Sequence, residues 1–357
     1  MTQAMLDAII AQGASAMISN VSTELSSLNV AGHILPVTRD DGRLGLSYVC
    51  SPHSAYVLYA RAELGIVKAG WFAWPARAAL AGLDLLLKRA QINRIVHLGN
   101  WMLSTNLHGG WRGEGLRDAR ETLTAKYPDH VIGVRSIDDW SSPGLRSAFE
   151  ADGWIMVPSR QIWVVDDLAR DWQHKHNYDN DRRLIARSSL SITDLPQVSG
   201  KDAQRISELY AMLYINRYSP LNPILTARFV ALSAQTDMVT YRVARDEDGV
   251  IMSVAGMWQR DGVMTPPVVG YDTTRPQSEG LYRVACWMFM ERAMEEGWRL
   301  HASAGAGDFK RQRGAHGKIE WNAYYARHLS RTRRLAVETL GTTLTRFLVP
   351  VMIARQW

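Results

Sequence analysis

The stretch VMTPPVVGYDTTRPQSEGLYRVACWMFMERAMEEGWRLHASAGA, residues 263–306, decides the predicted fold of this chain. Its first part, Val263–Thr274, is strand-like toward its end, and a short polar loop follows over Arg275–Gly280. Leu281–Trp298 predicts a helix of about five turns, at roughly 3.6 residues per turn, with an apolar stripe on one side. A further strand is predicted over Arg299–Ala306. The stretch is therefore a succession of strand, loop, helix and strand.

The first half of the chain repeats this order. A strand is predicted over Arg94–Leu103 from its β-branched and aromatic residues. A glycine-rich loop follows at His108–Gly115, and Leu116–Tyr127 predicts a helix that ends just before a proline. The next strand is predicted over His130–Ile137. This repetition indicates an α/β fold, with α+β character and a mixed sheet, that contains the same unit twice.

Two domains are predicted from the length and the repeat. The chain has 357 residues, and domains typically hold roughly 100–200 residues. We place the boundary between residues 1–170 and residues 171–357. The polar segment Asp171–Ser189 is the predicted linker, and it enters a helix at Asp181–Arg187.

Composition excludes several classes of protein. With 46% hydrophobic and 21% charged residues, the chain is neither disordered nor collagen-like. Two cysteines, Cys50 and Cys286, are too few for a disulfide framework or a cysteine zinc cage. We find no secretion signal, and Arg346 and Pro350 interrupt the longest apolar run near the C-terminus. The expectation is a cytoplasmic protein without a membrane span.

The positive charge lies in the second half. Residues 1–170 hold 16 Lys and Arg against 16 Asp and Glu, whereas residues 171–357 hold 25 against 19, so the whole net charge of +6 belongs there. Residues 310–334 contain eight cations and a single acid, Glu320. Such a patch attracts the phosphates of a nucleotide cofactor or of a nucleic acid. The plainer interpretation is a solvated basic face.

A strand that runs through a glycine-bearing loop into a helix can bind phosphate. The start of a helix presents unpaired N–H groups and partial positive charge, and glycine lets the backbone approach closely. The dinucleotide pattern G-x-G-x-x-G and the P-loop pattern are absent from both loops. The alternative is that both loops are ordinary turns, in which Gly113 and Gly115 are needed only because glycine adopts backbone conformations that other residues rarely adopt.

Both loops resemble the pyrophosphate loop of the GNAT superfamily of acyltransferases, [Q/R]-x-x-G-x-[G/A], which binds coenzyme A. Arg275-Pro-Gln-Ser-Glu-Gly280 matches except that Ser278 replaces the central glycine. Gly110-Trp-Arg-Gly-Glu-Gly115 matches at Gly113 and Gly115 and has glycine where glutamine or arginine is expected. The resemblance implies two tandem GNAT-like domains, with the first one degenerate. It implies that the donor contacts Arg275, Ser278, Gly280 and Leu281, and Gly113 and Gly115 in the first copy.

The second half also resembles the Fem family of aminoacyltransferases and the related FemAB-like acetyltransferase domains. Those enzymes carry a Phe-Lys pair followed by a glycine late in the second domain, and Phe309-Lys310 with Gly314 matches this placement. The basic helix at Asn180–Arg187 matches their linker. The intervening Arg311-Gln312-Arg313 is more basic than the family pattern. The resemblance implies an aminoacyl-tRNA donor held near Lys310, Phe309 and Arg313, and it leaves the acceptor open.

The implied chemistry is direct attack of an amine on an activated acyl carbon. Lys310 is the candidate cation for the oxyanion or for a donor phosphate, and the alternative is that it is one more member of a surface basic run. Asp272 and Glu320 are candidate acceptors of the amine proton, and either can instead be an ion-pair partner. Tyr271 is a candidate hydrogen-bonding or general-acid tyrosine, with a packing role as the equal alternative. Arg313 is a candidate for gripping a phosphate.

No metal and no tightly bound cofactor are expected. His174 and His176 near Asp179 imitate a metal site, but a second ligand cluster is lacking. Three functions stay open: an amide-forming aminoacyltransferase that uses aminoacyl-tRNA, an N-acyltransferase that uses an acyl-CoA or acyl-carrier-protein thioester, and a non-catalytic RNA- or protein-binding module. For both enzymes, the acceptor is a small-molecule or peptide amine.

Overall fold

The computed structural model describes residues 2–66 and 73–355. Within those ranges the strands are β1 (Glu24–Val30), β2 (His33–Asp41), β3 (Arg94–Leu98), β4 (Val131–Ile137), β5 (Ile155–Val165), β6 (Ser191–Asp194), β7 (Thr240–Arg245), β8 (Ile251–Arg260), β9 (Val263–Tyr271), β10 (Arg299–His301) and β11 (His316–Tyr325).

The α-helices in the same ranges are α1 (Thr2–Gln12), α2 (Ala14–Met17), α3 (Tyr59–Ile66), α4 (Ala73–Arg89), α5 (Leu116–Lys126), α6 (Leu145–Ala151), α7 (Leu168–Asp171), α8 (His176–Arg187), α9 (Gly200–Ala211), α10 (Ala227–Gln235), α11 (Leu281–Glu295), α12 (Gly307–Arg311) and α13 (Arg331–Arg355).

One mixed sheet of eleven strands runs through both halves. Its order is β1-β2-β3-β4-β11-β5-β10-β9-β8-β7-β6. Most neighbours are antiparallel, but β3 pairs with β4, and β9 with β10, in parallel. The prediction of an α/β fold with a mixed sheet is confirmed.

The repeated unit is present in both halves. In the first half β3, α5 and β4 follow one another, and in the second half β9, α11 and β10 do. The helix after each strand begins one residue beyond a glycine in a left-handed conformation, Gly115 at φ 69° and Gly280 at φ 66°. The strand predicted over Arg299–Ala306 is shorter than expected and ends at His301. The backbone leaves the extended region there, because Ser303 has φ 58°.

The long strand that follows each unit, β5 in the first half and β11 in the second, pairs with strands of the other half. β11, from the second half, lies between β4 and β5 of the first, and β5 in turn pairs with β10 of the second. The two exchanged strands pair with each other along most of their length, with Glu320 opposite Arg160 near the middle of the ladder. The centre of the sheet is therefore built jointly by the two halves.

Helices cover the sheet, and some of them also cross between the halves. α1 and α2 pack on α10, and their Met5, Leu6 and Met17 share a core with Ile206 and Phe229. α13 packs mainly on β5, and Gly341 allows close approach, since a Cβ there would lie 3.1 Å from the Met156 carbonyl oxygen. The boundary at residue 170 stays a prediction, while the sheet and these helices join the two sides of it.

α13 meets the length and composition of a membrane-crossing helix. An 18-residue window within Arg331–Ala354 reaches a mean hydropathy of 1.2, and 28% of that window is buried inside the protein. Among the described residues it alone meets both criteria.

Candidate active site

The start of α11 is the first element of the site. Gly280 precedes the helix, and no side chain in the described part of the chain caps its first N–H groups. A Cβ on Gly280 would lie 2.7 Å from Leu184 Cδ2, so the absence of a side chain lets α8 pack directly on this helix end. The result is a helix N-terminus, with its partial positive charge, beside the arginine-rich surface of α8.

An open cleft of about 610 Å³ lies between α8, the start of α11 and α12. We name it the arginine cleft. Four arginines line it together with Asn177, Asn180, Leu184, Phe309 and Gln312; they are Arg183, Arg187, Arg283 and Arg313. No acid is among the described residues that line it, so the cleft suits an anion, and guanidinium groups bind phosphate oxygens in bidentate geometry.

A buried carboxylate beneath the cleft fixes two of these arginines. Asp181, 2% exposed, accepts from Arg313 Nε at 2.7 Å, from Arg313 Nη2 at 3.0 Å and from Arg283 Nε at 2.6 Å. The Arg313 guanidinium carbon also lies 3.5 Å from the centre of the Phe309 ring. Asp181 supplies one negative charge against four arginines, so the cleft keeps net positive charge around a rigid Arg313.

Lys310 lies next to Phe309 on α12 but points inward. Its Nζ donates to the carbonyl oxygens of Ala302 at 2.5 Å, Ala304 at 2.8 Å and Ser303 at 3.4 Å. Burial, reinforced by the positive charge of Arg160, lowers the pKa of Lys310 to about 7. The amine is therefore held at a turn beyond β10, outside the residues that line the arginine cleft, and it changes charge near neutral pH.

A chain of hydrogen bonds joins Lys310 to Glu320. Ser303, whose carbonyl accepts from Lys310, receives a hydrogen bond from Thr105 Oγ1 to its Oγ at 3.3 Å. Arg160 Nη2 donates to Thr105 Oγ1 at 3.0 Å, and Arg160 Nε and Nη2 contact the two Glu320 carboxylate oxygens at 2.9 and 3.0 Å. We name these five residues the Lys310 network. It crosses the exchanged strands, and Glu320 is engaged as the partner of Arg160.

Half-buried aromatic rings connect the strand end at Tyr271 with Phe309. The rings of Tyr271 and Tyr282 are 5.9 Å apart, and those of Tyr282 and Phe309 are 5.0 Å apart. The Tyr271 hydroxyl accepts from Arg217 Nη1 at 2.8 Å. Burial raises the pKa of Tyr282 well above its usual value and that of Cys286 to about 12, so both stay protonated at neutral pH. These three rings therefore form an uncharged surface beside the arginine cleft and the Lys310 network.

Asp272 is held in an ion pair. Its carboxylate accepts from Arg205 Nη2 at 2.7 Å and from Thr274 Oγ1 at 2.6 Å. Burial alone would raise the pKa of this carboxyl, but the two hydrogen bonds outweigh burial and hold the pKa below its usual value. An aspartate that stays ionised and paired is a weak proton acceptor at neutral pH.

The loop Arg275–Gly280, which resembles a pyrophosphate-binding loop, is partly filled by contacts between its own side chains. Arg275 pairs with Glu279 at 2.8 Å, and both face solvent at least in part. Ser278 is exposed within the short 3-10 turn Gln277–Glu279, and Leu281 is buried as the first residue of α11. Arg275, Ser278 and Leu281 are not among the residues that line the arginine cleft.

The corresponding loop of the first half is filled by packing. A Cβ on Gly113 would lie 2.6 Å from Ala148 Cβ of α6, and a Cβ on Gly115 would lie 3.2 Å from Ala31 Cβ. The buried Trp111 indole donates to the Glu114 carbonyl at 3.0 Å. These contacts fit the interpretation of an ordinary turn that needs glycine for close approach and positive φ.

The structure thus brings together part of the predicted set. Phe309 and Arg313 line the arginine cleft, Gly280 adjoins it through Leu184, and Lys310 lies behind Phe309. Glu320 joins Lys310 through the network, whereas Asp272 and the first-half glycines lie apart from the cleft lining. Among the described residues, no group of three His, Cys, Asp or Glu side chains is placed to hold a metal ion.

Sequence reasoning missed the roles of Arg183, Arg187, Arg283 and Asp181. The available signal was the spacing of four between Arg183 and Arg187, which puts both on one face of a helix. The Asp181 pairs join residues more than 100 positions apart, so spacing along the chain could not show them.

The basic run at residues 310–334 does not form one patch. Arg313 is buried, Arg311 pairs with Asp308, and Arg333 donates to the carbonyls of Ala90 and Asp129. The cations of this run are distributed over α12, β11 and the start of α13. The concentrated positive charge comes instead from α8, α11 and α12 together.

No family model and no curated protein matches the sequence. Solved structures do show similarity: L-PGS from Bacillus licheniformis at 11% identity, over 69% of this chain and 82% of that one, with a TM-score of 0.47. FemX is 8% identical over 59% of this chain and 75% of that one, with a TM-score of 0.45. A GCN5-related N-acetyltransferase from Kribbella flavida is 14% identical over 65% of this chain and 81% of that one, with a TM-score of 0.36. At these values the similarity concerns the arrangement of helices and strands and assigns no activity to this chain.

Proposed function

We propose that this protein is an acyltransferase that binds the phosphates of its donor in the arginine cleft. The observation that carries the proposal is that four arginines line one cleft beside the start of α11. Lys310, whose pKa is about 7, directly follows the cleft residue Phe309 in the chain. A phosphate bound in the cleft would contact guanidinium groups, and it would also lie near the positive N-terminal end of α11.

The reaction would form an amide without a covalent enzyme intermediate. The acceptor nitrogen attacks the acyl carbon, the new C–N bond forms, and the C–O bond of an ester or C–S bond of a thioester breaks. The nitrogen loses one proton, and the departing alkoxide or thiolate gains one. Lys310, whose pKa is about 7, is the candidate carrier of this proton. Because its Nζ lies behind Phe309 on three backbone carbonyls, the proton would pass to and from it through water.

Aminoacyl-tRNA is the donor that we propose first. The arginine cleft is open rather than enclosed, and it is formed on the half of the chain that carries the net charge of +6. An open, cationic surface suits a phosphate backbone. The loop that would grip a coenzyme A pyrophosphate has Ser278 in place of glycine and a bound Glu279 carboxylate at Arg275, which favours this donor over acyl-CoA.

An acyl-CoA or acyl-carrier-protein donor is the second candidate, because the same arginines can hold a pyrophosphate or phosphopantetheine group. A non-catalytic RNA- or protein-binding module is the third, and it would use the cleft without turnover. Both donor classes belong to the cell interior, so a cytoplasmic location is part of the proposal.

Paired arginine variants test the proposal. Arg183→Ala/Arg187→Ala should weaken donor binding at least tenfold, since two phosphate contacts are lost. If the donor is tRNA, the slope of log affinity against log salt should fall by roughly 2, about 0.9 for each lost contact. Arg182→Ala is the matched control: Arg182 lies on the same helix, exposed, and pairs with Asp179.

The donor itself is identified by depletion. Product formation from candidate amines in a lysate should stop after RNase treatment and persist after removal of CoA. The reverse result would replace tRNA by a thioester donor. Donor binding that is equal in wild type and in Arg183→Ala/Arg187→Ala would remove the arginine cleft from the function altogether.

A further inference from the structure

The strongest feature outside the candidate site is an apolar face on the last turns of α13. Phe347 is 64% exposed and Ile353 59% exposed, and Val351 and Pro350 are exposed beside them. Large apolar side chains clustered at one helix end mark a contact surface rather than scattered surface residues. We name Phe347, Pro350, Val351 and Ile353, with Trp74 of α4, the apolar face.

Trp74 belongs to this surface because α4 and α13 run antiparallel. Arg333 at the start of α13 donates to the carbonyls of Ala90 and Gln91, which follow the end of α4. Leu83 and Leu87 of α4 share a core cluster with Val337, Leu340 and Leu344 of α13. The beginning of α4 therefore lies toward the end of α13, and Trp74, in the first turn of α4, is 78% exposed.

The charge around the apolar face is positive. Arg77 of α4 and Arg346 of α13 are exposed at this end of the two helices, and Arg89 and Arg331 are exposed at the opposite end. Each of the two helices has one acid in its described part, and both acids are paired internally: Asp84 with His53, Arg61 and Lys88, and Glu338 with Arg334. Exposed cations around exposed aromatic and aliphatic side chains are the pattern of helices that lie in the interface of an anionic lipid bilayer.

We propose that the apolar face docks the protein on the surface of an anionic membrane. α13 then lies in the plane of the interface and does not cross the bilayer. A crossing helix would have to bury Arg346 in hydrocarbon and leave its packing on β5, where Val337 and Leu340 are fully buried. In the plane, the same residues keep their core contacts while Phe347 and Ile353 enter the lipid and Arg346 contacts head groups.

The site and the apolar face are built from different elements. The arginine cleft uses α8, α11 and α12, whereas the apolar face uses α4 and α13. Variants of the apolar face therefore leave the proposed donor site intact, and the membrane proposal stands or falls separately from the proposed function.

Vesicle sedimentation with the full chain tests the proposal. The wild-type protein should sediment with vesicles of 30% phosphatidylglycerol in phosphatidylcholine and stay in solution with pure phosphatidylcholine. Phe347→Ser/Ile353→Ser should reduce the bound fraction at least tenfold, and Arg77→Glu/Arg346→Glu should reduce binding to the anionic vesicles. Val250→Ser, 42% exposed in the β7–β8 hairpin, should bind as the wild type does.

Two results would overturn the proposal. One is wild-type protein that stays in solution with both vesicle types. The other is a wild-type dimer in light scattering that becomes a monomer in Phe347→Ser/Ile353→Ser, while this variant binds vesicles as the wild type does. The apolar face would then join two copies of the protein. Because the substituted side chains are exposed, thermal melting curves should be unchanged, and they verify that each variant is folded.

Discussion

At the scale of single residues, Lys310 shows how environment changes the chemistry that a sequence suggests. The sequence predicts a cation beside the donor, and the structure gives an amine bonded to three carbonyls with a pKa of about 7. An unfolded chain holds the lysine proton up to its ordinary pKa of about 10.4. Between these two pKa values the unfolded state binds more protons than the folded state.

The stability of the protein should therefore rise as pH increases from 7 toward 10. Lys310→Met should flatten this rise, because no proton is then exchanged at the site. The variant should also lose about 1–3 kcal/mol at pH 9.5, since the carbonyls beyond β10 lose their donor. Urea unfolding at pH 7 and pH 9.5 measures both effects.

Lys318→Met is the control, because Lys318 is exposed on β11. A Lys310→Met protein whose stability responds to pH as the wild type does would contradict the lowered pKa. Under the proposed function, Lys310→Met should also lower kcat at least tenfold.

At the scale of elements, Gly314 explains a motif that the sequence only suggested. It follows α12 with φ 88°, and a Cβ there would overlap the backbone carbonyl of Asp171 at the end of α7. A backbone atom cannot move aside as a side-chain end can. The glycine of the Phe-Lys motif is thus required by the contact between α12 and α7, which holds Phe309 and Lys310 in place.

Gly314→Ala should destabilise the protein by about 3 kcal/mol or more, the sum of a left-handed alanine and of overpacking. Gly305→Ala is its matched control. Gly305 has φ 75° in the turn just before α12, but a Cβ there meets nothing within 4 Å. It should cost only about 1–2 kcal/mol. Equal losses for the two variants in urea unfolding would show that the Asp171 contact contributes nothing.

At the scale of the whole molecule, the exchange of β5 and β11 joins the halves. β4 has β11 as its antiparallel neighbour, and β10 has β5, so each half lacks a strand that the other supplies. The Arg160–Glu320 pair is formed only when both halves are present. An edge strand without its partner exposes unpaired backbone groups and apolar side chains.

Residues 1–170 and residues 171–357 should therefore fail to fold when they are expressed separately. We expect insoluble fragments, or soluble ones without a cooperative thermal transition in circular dichroism. Co-expression of the two should restore a soluble complex. A single cooperative transition in either isolated fragment would show instead that the exchanged strand is dispensable and that the predicted boundary separates independent domains.

The sequence by itself determined the local units. The turn residues and apolar patterns of 94–137 and 263–301 predicted strand, loop, helix and strand in the right order, because glycine and local apolar spacing act within a few residues. They also predicted that a helix begins directly after Gly280 and after Gly115. The ends of elements were less accurate, as at His301, where the positive φ of Ser303 has no signal of its own.

Only the tertiary structure decided which side chains meet. Asp181 finds Arg283 and Arg313, and Glu320 finds Arg160, across more than 100 residues of chain. These pairings follow from sheet order and helix packing, which local patterns do not encode. For the same reason the basic run after Lys310 is dispersed in space, while arginines from three separate helices form one cleft.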